Sequence, residues 1–150
     1  MNRRDLLVSL AGTGGAFAAA PVAVGGAPDK PELAKGSKFH QDYLDTDFGQ
    51  IYYWTAGRGP DVTFIHQSGN SSQEYMALLP LLGSRCRLIA LDLPGHGRSS
   101  DPTTEPTVDD YTAAVKRVLD HLDVESTHMV GHHGGALTTM NFAARYPQQI

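Results

Sequence analysis

The sequence predicts an α/β protein: a mostly parallel β-sheet with helices on both faces. Three observations predict it. Short, nearly continuous apolar runs recur at residues 62–66, 87–92 and 127–130, as in strands buried on both faces. Between them, apolar residues recur at helical spacing. Glycine-bearing corners follow the runs. Repeated strand–helix units of this kind imply parallel pairing through crossover helices.

The elements follow in order. Residues 39–44 read as a strand, 45–49 as a turn, and 50–55 as a second strand rich in aromatics. Gly57-Arg58-Gly59-Pro60 breaks that strand before the first buried run at 62–66. Ser71 and Glu74 have capping-box spacing ahead of a helix carrying Tyr75, Leu78, Leu79 and Leu82. Pro80 predicts a kink near the end of that helix. The second buried run, 87–92, follows. Thr107 and Asp110 cap a helix whose Val108, Tyr111, Val115, Val118, Leu119 and Leu122 form one apolar stripe. A third buried strand at 127–130 leads into a helix at 136–146, which Pro147 ends.

Composition narrows the function classes. With 41% hydrophobic and 19% charged residues, the chain has the makeup of a folded domain rather than a fibrous or disordered one. Its single cysteine, Cys86, excludes an internal disulfide framework and a cysteine-rich zinc module. A net charge of −4 and no basic cluster beyond Arg3-Arg4 argue against a nucleic-acid partner.

Residues 1–30 differ from the rest. Arg3 and Arg4 are followed by an uncharged stretch, Leu6 to Gly26, rich in alanine and glycine. A charged front, an apolar middle and small residues at a cleavage site (Ala16-Phe17-Ala18 before Ala19) are the parts of a secretory signal. The paired arginines ahead of a weakly apolar core resemble a twin-arginine export signal. The resemblance implies the twin-arginine export machinery as a partner and a periplasmic or secreted location. Such cargo folds before crossing, which suits one unpaired cysteine. Gly12, Gly14, Gly15, Pro21 and Gly25 interrupt the apolar run, so no stable membrane anchor is expected. Residues 31–38 read as a linker, leaving 39–150 as the folded domain.

Three loops follow buried strands, and in open α/β sheets ligands bind at the carboxyl ends of strands. They are His66-Gln67-Ser68-Gly69-Asn70-Ser71-Ser72, Asp92-Leu93-Pro94-Gly95-His96-Gly97-Arg98-Ser99, and Gly131-His132-His133-Gly134-Gly135. With Leu78-Leu79-Pro80-Leu81-Leu82 and Ala143-Ala144-Arg145-Tyr146-Pro147, they resemble the α/β-hydrolase superfamily from about Phe39 to Ile150. The resemblance implies that the third loop is a nucleophile elbow. In such an elbow a strand-to-helix turn, kept tight by small residues, lifts its central side chain out of the sheet. Gly131 and Gly135 give the turn its geometry. The central residue is His133, where the family has Ser, Asp or Cys. The backbone N–H groups of Ser68 and Gly134 are the implied oxyanion donors. Gln67 replaces the family's glycine after His66 and, with His132, is expected to touch substrate. His-Gln in the first loop together with Gly-His-His-x-Gly at the elbow looks like an atypical bacterial subgroup of the superfamily.

These residues leave several chemistries open. A neutral imidazole attacks electrophiles, accepts protons or binds metals. The leading expectation is an exported enzyme acting on a small ester, lactone or related carbonyl compound, with His133 at the reacting centre. The alternatives are a non-catalytic ligand- or partner-binding protein of the same fold, and His-based proton transfer or cofactor-free oxygen chemistry. Ser68 is weighed as a displaced nucleophile, and His66 as a loop anchor. His66, His96, His132 and His133 have only Asp92 as an acidic neighbour, and adjacent histidines do not readily share one ion, so no metal is expected. The glycines match neither G-x-G-x-x-G nor a Walker loop, and no cofactor is expected.

In the family pattern the fold continues through further strands, a lid, an acidic residue and a histidine. The domain is therefore expected to be the truncated N-terminal part of its fold. Residues 36–150 alone are expected to fold poorly; a cooperative thermal melt of that segment as a soluble monomer would count against this.

Overall fold

The computed structural model describes residues 38–150. The expected export signal, and the linker apart from Lys38, lie outside the described residues. Strand β1 (Phe39–Thr46) turns through Asp47 and Phe48 into β2 (Gly49–Gly57), and a connection this short permits only antiparallel pairing. Then come β3 (Asp61–Ile65), a 3₁₀ helix (Ser72–Leu78), α1 (Leu79–Leu82), β4 (Arg87–Leu91), α2 (Val108–His121), β5 (His128–Gly131), α3 (Gly134–Arg145) and a final 3₁₀ turn (Pro147–Gln149).

The strands form one sheet in the order β1-β2-β4-β3-β5. β3 pairs in parallel with both β4 and β5, while β2 joins β4 antiparallel. The sheet is thus mixed, with its parallel part where the three expected loops emerge.

Strand alternation divides the core cleanly. Ile51, Tyr53, Ile65, Ile89 and Leu91 face α2 and α3, where Val115, Val118, Leu119 and Phe142 are fully buried. Tyr52, Trp54, Phe64, Leu88 and Ala90 face the other way, against Tyr75 and Leu79. Both faces are therefore covered over β2, β3 and β4, as the near-continuous apolar runs of β3 and β4 require. Thr107 and Asp110 form the expected reciprocal cap on α2, and these hydrogen bonds hold the Asp110 carboxyl below its ordinary range. Among the described residues no helix is long and apolar enough to cross a membrane.

Four local expectations are corrected. The helix after Ser71 has no capping box: Ser71 makes no side-chain cap, and the Glu74 carboxylate turns instead toward the loop after β3. That segment is a 3₁₀ helix, and Pro80 lies in the first turn of α1 rather than kinking a longer helix. Proline suits this position because it has no N–H to leave unsatisfied there. β5 is not buried on both faces: it is the last strand of the sheet among the described residues, and Val130 is 44% exposed. Val108, in the predicted stripe of α2, is likewise exposed in the helix's first turn.

Candidate functional site

The site lies where the carboxyl ends of β3 and β5 meet the start of α3. The His132 N–H donates to the Ile65 carbonyl at 3.0 Å, carrying the β3–β5 ladder one residue past the strand. The chain then reverses. His133 has φ +50° and ψ −113°, a left-handed φ that costs a non-glycine residue about 1–3 kcal/mol. The Gly135 N–H donates to the His132 carbonyl at 2.8 Å and the Ala136 N–H to the His133 carbonyl at 3.0 Å, which starts α3. A Cβ on Gly135 would strike the carbonyl oxygens of Ile65 and His66. One on Gly131 would strike the Gly135 carbonyl and the Thr139 hydroxyl. The glycines let α3 begin directly on the end of β3, and His133 stands exposed at the apex.

The loop after β3 is anchored by His66, which is fully buried. Its Nδ1 lies 2.8 Å from the Gln67 carbonyl, and its Nε2 accepts the Leu93 N–H at 3.0 Å. A carbonyl only accepts, so Nδ1 carries the proton and the ring is neutral. Burial pushes the imidazole below its ordinary 6.5, with His96 adding to the effect and the Gln67 hydrogen bond opposing it. His66 thus ties the end of β3 to the loop after β4.

Ser68 sits against the elbow. A Cβ on Gly134 would collide with the Ser68 hydroxyl and lie 3.3 Å from the Ser68 nitrogen. Among the described residues, the N–H groups of Ser68 and Gly134 donate to no acceptor. The free N–H of Gly134 directly follows the apex, and the free N–H of Ser68 belongs to the residue packed against Gly134. The Gln67 N–H, by contrast, is committed to Glu74 Oε1 at 3.3 Å, while the Gln67 side-chain amide makes no hydrogen bond within the described residues. His132 turns its Nδ1 to the same carboxylate oxygen at 3.4 Å.

Glu74 is the residue that sequence reasoning missed. Its carboxylate also accepts from Asn70 Nδ2 at 2.7 Å, and its side chain is only 13% exposed. Asn70 and Glu74 are four residues apart, but Ser71 offered a familiar role that concealed this one. The neighbouring Tyr75 hydroxyl donates to the Ile65 carbonyl at 2.9 Å. Burial, and then Glu74, push that phenol far above its ordinary range.

The remaining loop is architectural. The buried Asp92 carboxylate accepts from the Ser72 and Arg98 N–H groups at 2.7 and 2.8 Å. The Ser99 hydroxyl donates to the Asp92 carbonyl at 2.5 Å and accepts the Tyr52 N–H at 2.9 Å, so it is fully engaged in structure. The structure therefore brings together Ser68, His132, His133 and Gly134, and keeps His66 and Ser99 as fasteners.

The sequence model of a family described as "alpha/beta hydrolase fold" matches residues 60–150. The chain is 34% identical over 92 residues to the dihydrolipoyllysine-residue acetyltransferase component of the acetoin cleaving system of Pseudomonas putida, covering 61% of this chain and 25% of that protein. It is 32% identical over 111 residues to a Bacillus subtilis protein named as an uncharacterized carboxylesterase, covering 72% of this chain and 37% of the relative. Among solved structures, a hydrolase from Pseudomonas aeruginosa superposes with a TM-score of 0.70 at 28% identity, covering 73% of this chain and 43% of that one. The chain thus spans less than half of the length of each.

The buried neutral His66 makes stability depend on pH. Its folded value lies below the unfolded one, so the unfolded chain binds more protons below about 6.5. Its contribution is complete above that value and declines as pH falls through it. The urea midpoint of the wild type is expected to drop between pH 7.5 and pH 5, and that of His66→Gln to start lower and change less. Equal slopes for the two proteins would remove His66 as the cause.

Proposed function

Because the chain belongs to the α/β-hydrolase-fold family, we propose that it is part of an exported enzyme that hydrolyses a small ester, lactone or related carbonyl compound with His133 at the reacting centre. The observation that carries this reading is the apex itself. A histidine occupies a strained left-handed turn, exposed, directly before the unengaged Gly134 N–H, and Gly134 lies against Ser68, whose N–H is also unengaged. Strain of this kind persists only where the surroundings enforce it, and it collects at functional sites. Resemblance to a relative named as a carboxylesterase supports the carbonyl class of substrate. Pairing of the His-Gln loop with Gly-His-His-x-Gly supports membership of the atypical subgroup.

In this mechanism a neutral imidazole nitrogen of His133 attacks the carbonyl carbon. The electron pair moves to the carbonyl oxygen, where the N–H groups of Ser68 and Gly134 hold it. Collapse expels the alcohol, which leaves with the proton lost from the other ring nitrogen. Water then cleaves the acyl–nitrogen bond, releases the acid and returns a proton to the ring. No separate base is needed for the attack, because a neutral imidazole already has a free lone pair. The Gln67 amide, unbonded within the described residues, orients the substrate.

Two outcomes are expected. A chromogenic ester panel with the full-length protein shows turnover that His133→Ala reduces by at least about 10²-fold. Unchanged turnover in that variant rejects the reading, whereas no turnover in the wild type with a ligand-induced thermal shift favours a binding protein. For export, which rests on Arg3-Arg4 and the uncharged stretch after them, the double variant Arg3→Lys, Arg4→Lys remains in the cytoplasmic fraction while the wild type reaches the periplasm. Equal distribution of both rejects the twin-arginine route.

A further inference from the structure

From the Glu74–His132 contact we infer that these two residues form a carboxylate–imidazole dyad, in which Glu74 is the positioning residue and His132 the base that activates water in the second half-reaction. The inference rests on the reading of His133 given above and supplies the step that reading leaves to bare water. Glu74 is anchored on three sides. Its Oε2 accepts from Asn70 at 2.7 Å, while its Oε1 faces the Gln67 N–H at 3.3 Å and His132 Nδ1 at 3.4 Å. A carboxylate held in this way accepts and does not donate, so it selects the His132 tautomer with the proton on Nδ1. The basic lone pair is then on Nε2, across the ring. The His132 side chain is 58% exposed against 13% for Glu74, so water reaches the imidazole while the carboxylate stays sheltered. His132 directly precedes His133 in the turn, and its Nδ1 faces the same Glu74 oxygen as the N–H of Gln67, in the loop that carries Ser68.

The proton balance closes. Water gives one proton to His132 Nε2 as its oxygen bonds to the acyl carbon of acylated His133. The acyl–nitrogen bond breaks, the acid leaves, and the proton on His132 passes to the freed His133 ring. Glu74 stabilises the transient imidazolium without itself taking up a proton, as an acidic partner of a catalytic histidine does. The same Oε1 also fixes Gln67, so one carboxylate ties the loop that carries the oxyanion donor Ser68 to the residue before the apex.

The test uses the full-length protein with p-nitrophenyl acetate, rapid mixing and intact-mass spectrometry. Glu74→Gln is nearly isosteric and keeps an oxygen for the Gln67 N–H, with an amide flip of Asn70 restoring the second bond. It removes only the charge opposite His132. Glu74→Gln and His132→Gln are each expected to keep a stoichiometric first release of nitrophenolate, to accumulate a single acetyl group on the protein, and to lower kcat by about 10²-fold. KM is expected to fall with kcat. A merely structural role would slow first release and steady turnover together, and that result overturns the dyad, as does unchanged kcat in both variants. Loss of the reading above registers separately, as a first release that survives His133→Ala or is missing from the wild type. In that event nitrogen-15 NMR decides the dyad: His132 as the Nδ1–H tautomer in the wild type supports it, and the Nε2–H tautomer overturns it.

Discussion

The rest of the site depends on the contact between the start of α3 and the end of β3. Gly135 lies against the carbonyls of Ile65 and His66 with no room for a methyl group. That approach brings the beginning of a helix to the tip of a buried strand. It also sets the handedness of the turn that His133 must adopt. The Ile65 carbonyl serves as a common anchor, accepting the His132 N–H from the elbow and the Tyr75 hydroxyl from the 3₁₀ helix. Its strand is fully buried at this end, so the anchor cannot drift. Position at the apex is thus inherited from the sheet rather than from the loop.

Around this contact the polar groups serve two purposes. His66, Asp92 and Ser99 are buried and fully engaged, each linking one strand end to a neighbouring segment. Groups of this kind are costly to bury unless satisfied, and they fix the loops in one arrangement. Ser68, His132 and His133 are exposed, and their polar atoms are free or only loosely held. Rigid groups below and available groups above is the arrangement that positioning a reacting molecule demands.

Much of the fold was legible because the signals were local. Apolar runs marked β3 and β4, and Thr107 with Asp110 marked the start of α2 to the residue. Edge position was not legible at β5: the run Met129-Val130 looks the same whether a neighbour covers it or not, and here it is the last strand in the described sheet. Glu74 was obscured for a different reason. Its spacing from Ser71 satisfies a capping rule, yet a carboxylate goes where the unpaired donors are. Those donors, on Gln67 and His132, lie 7 and 58 residues away in sequence. Only the folded chain sets them side by side. Conversely, the place of His66 as an anchor at a strand end was legible from the buried apolar run that precedes it.

The strained apex has a consequence for how such a protein changes over time. The +50° φ at position 133 is imposed by glycines on either side and by the sheet beneath, none of which touches the imidazole through a hydrogen bond. Backbone and reagent are therefore separable. A single codon change exchanges the functional group while the mounting stays as it was, and whatever side chain arrives is delivered to the same point with the same exposure. Novelty at such a corner requires no new architecture, only neighbours suited to the newcomer, and those arise by substitution in loops that the core does not constrain.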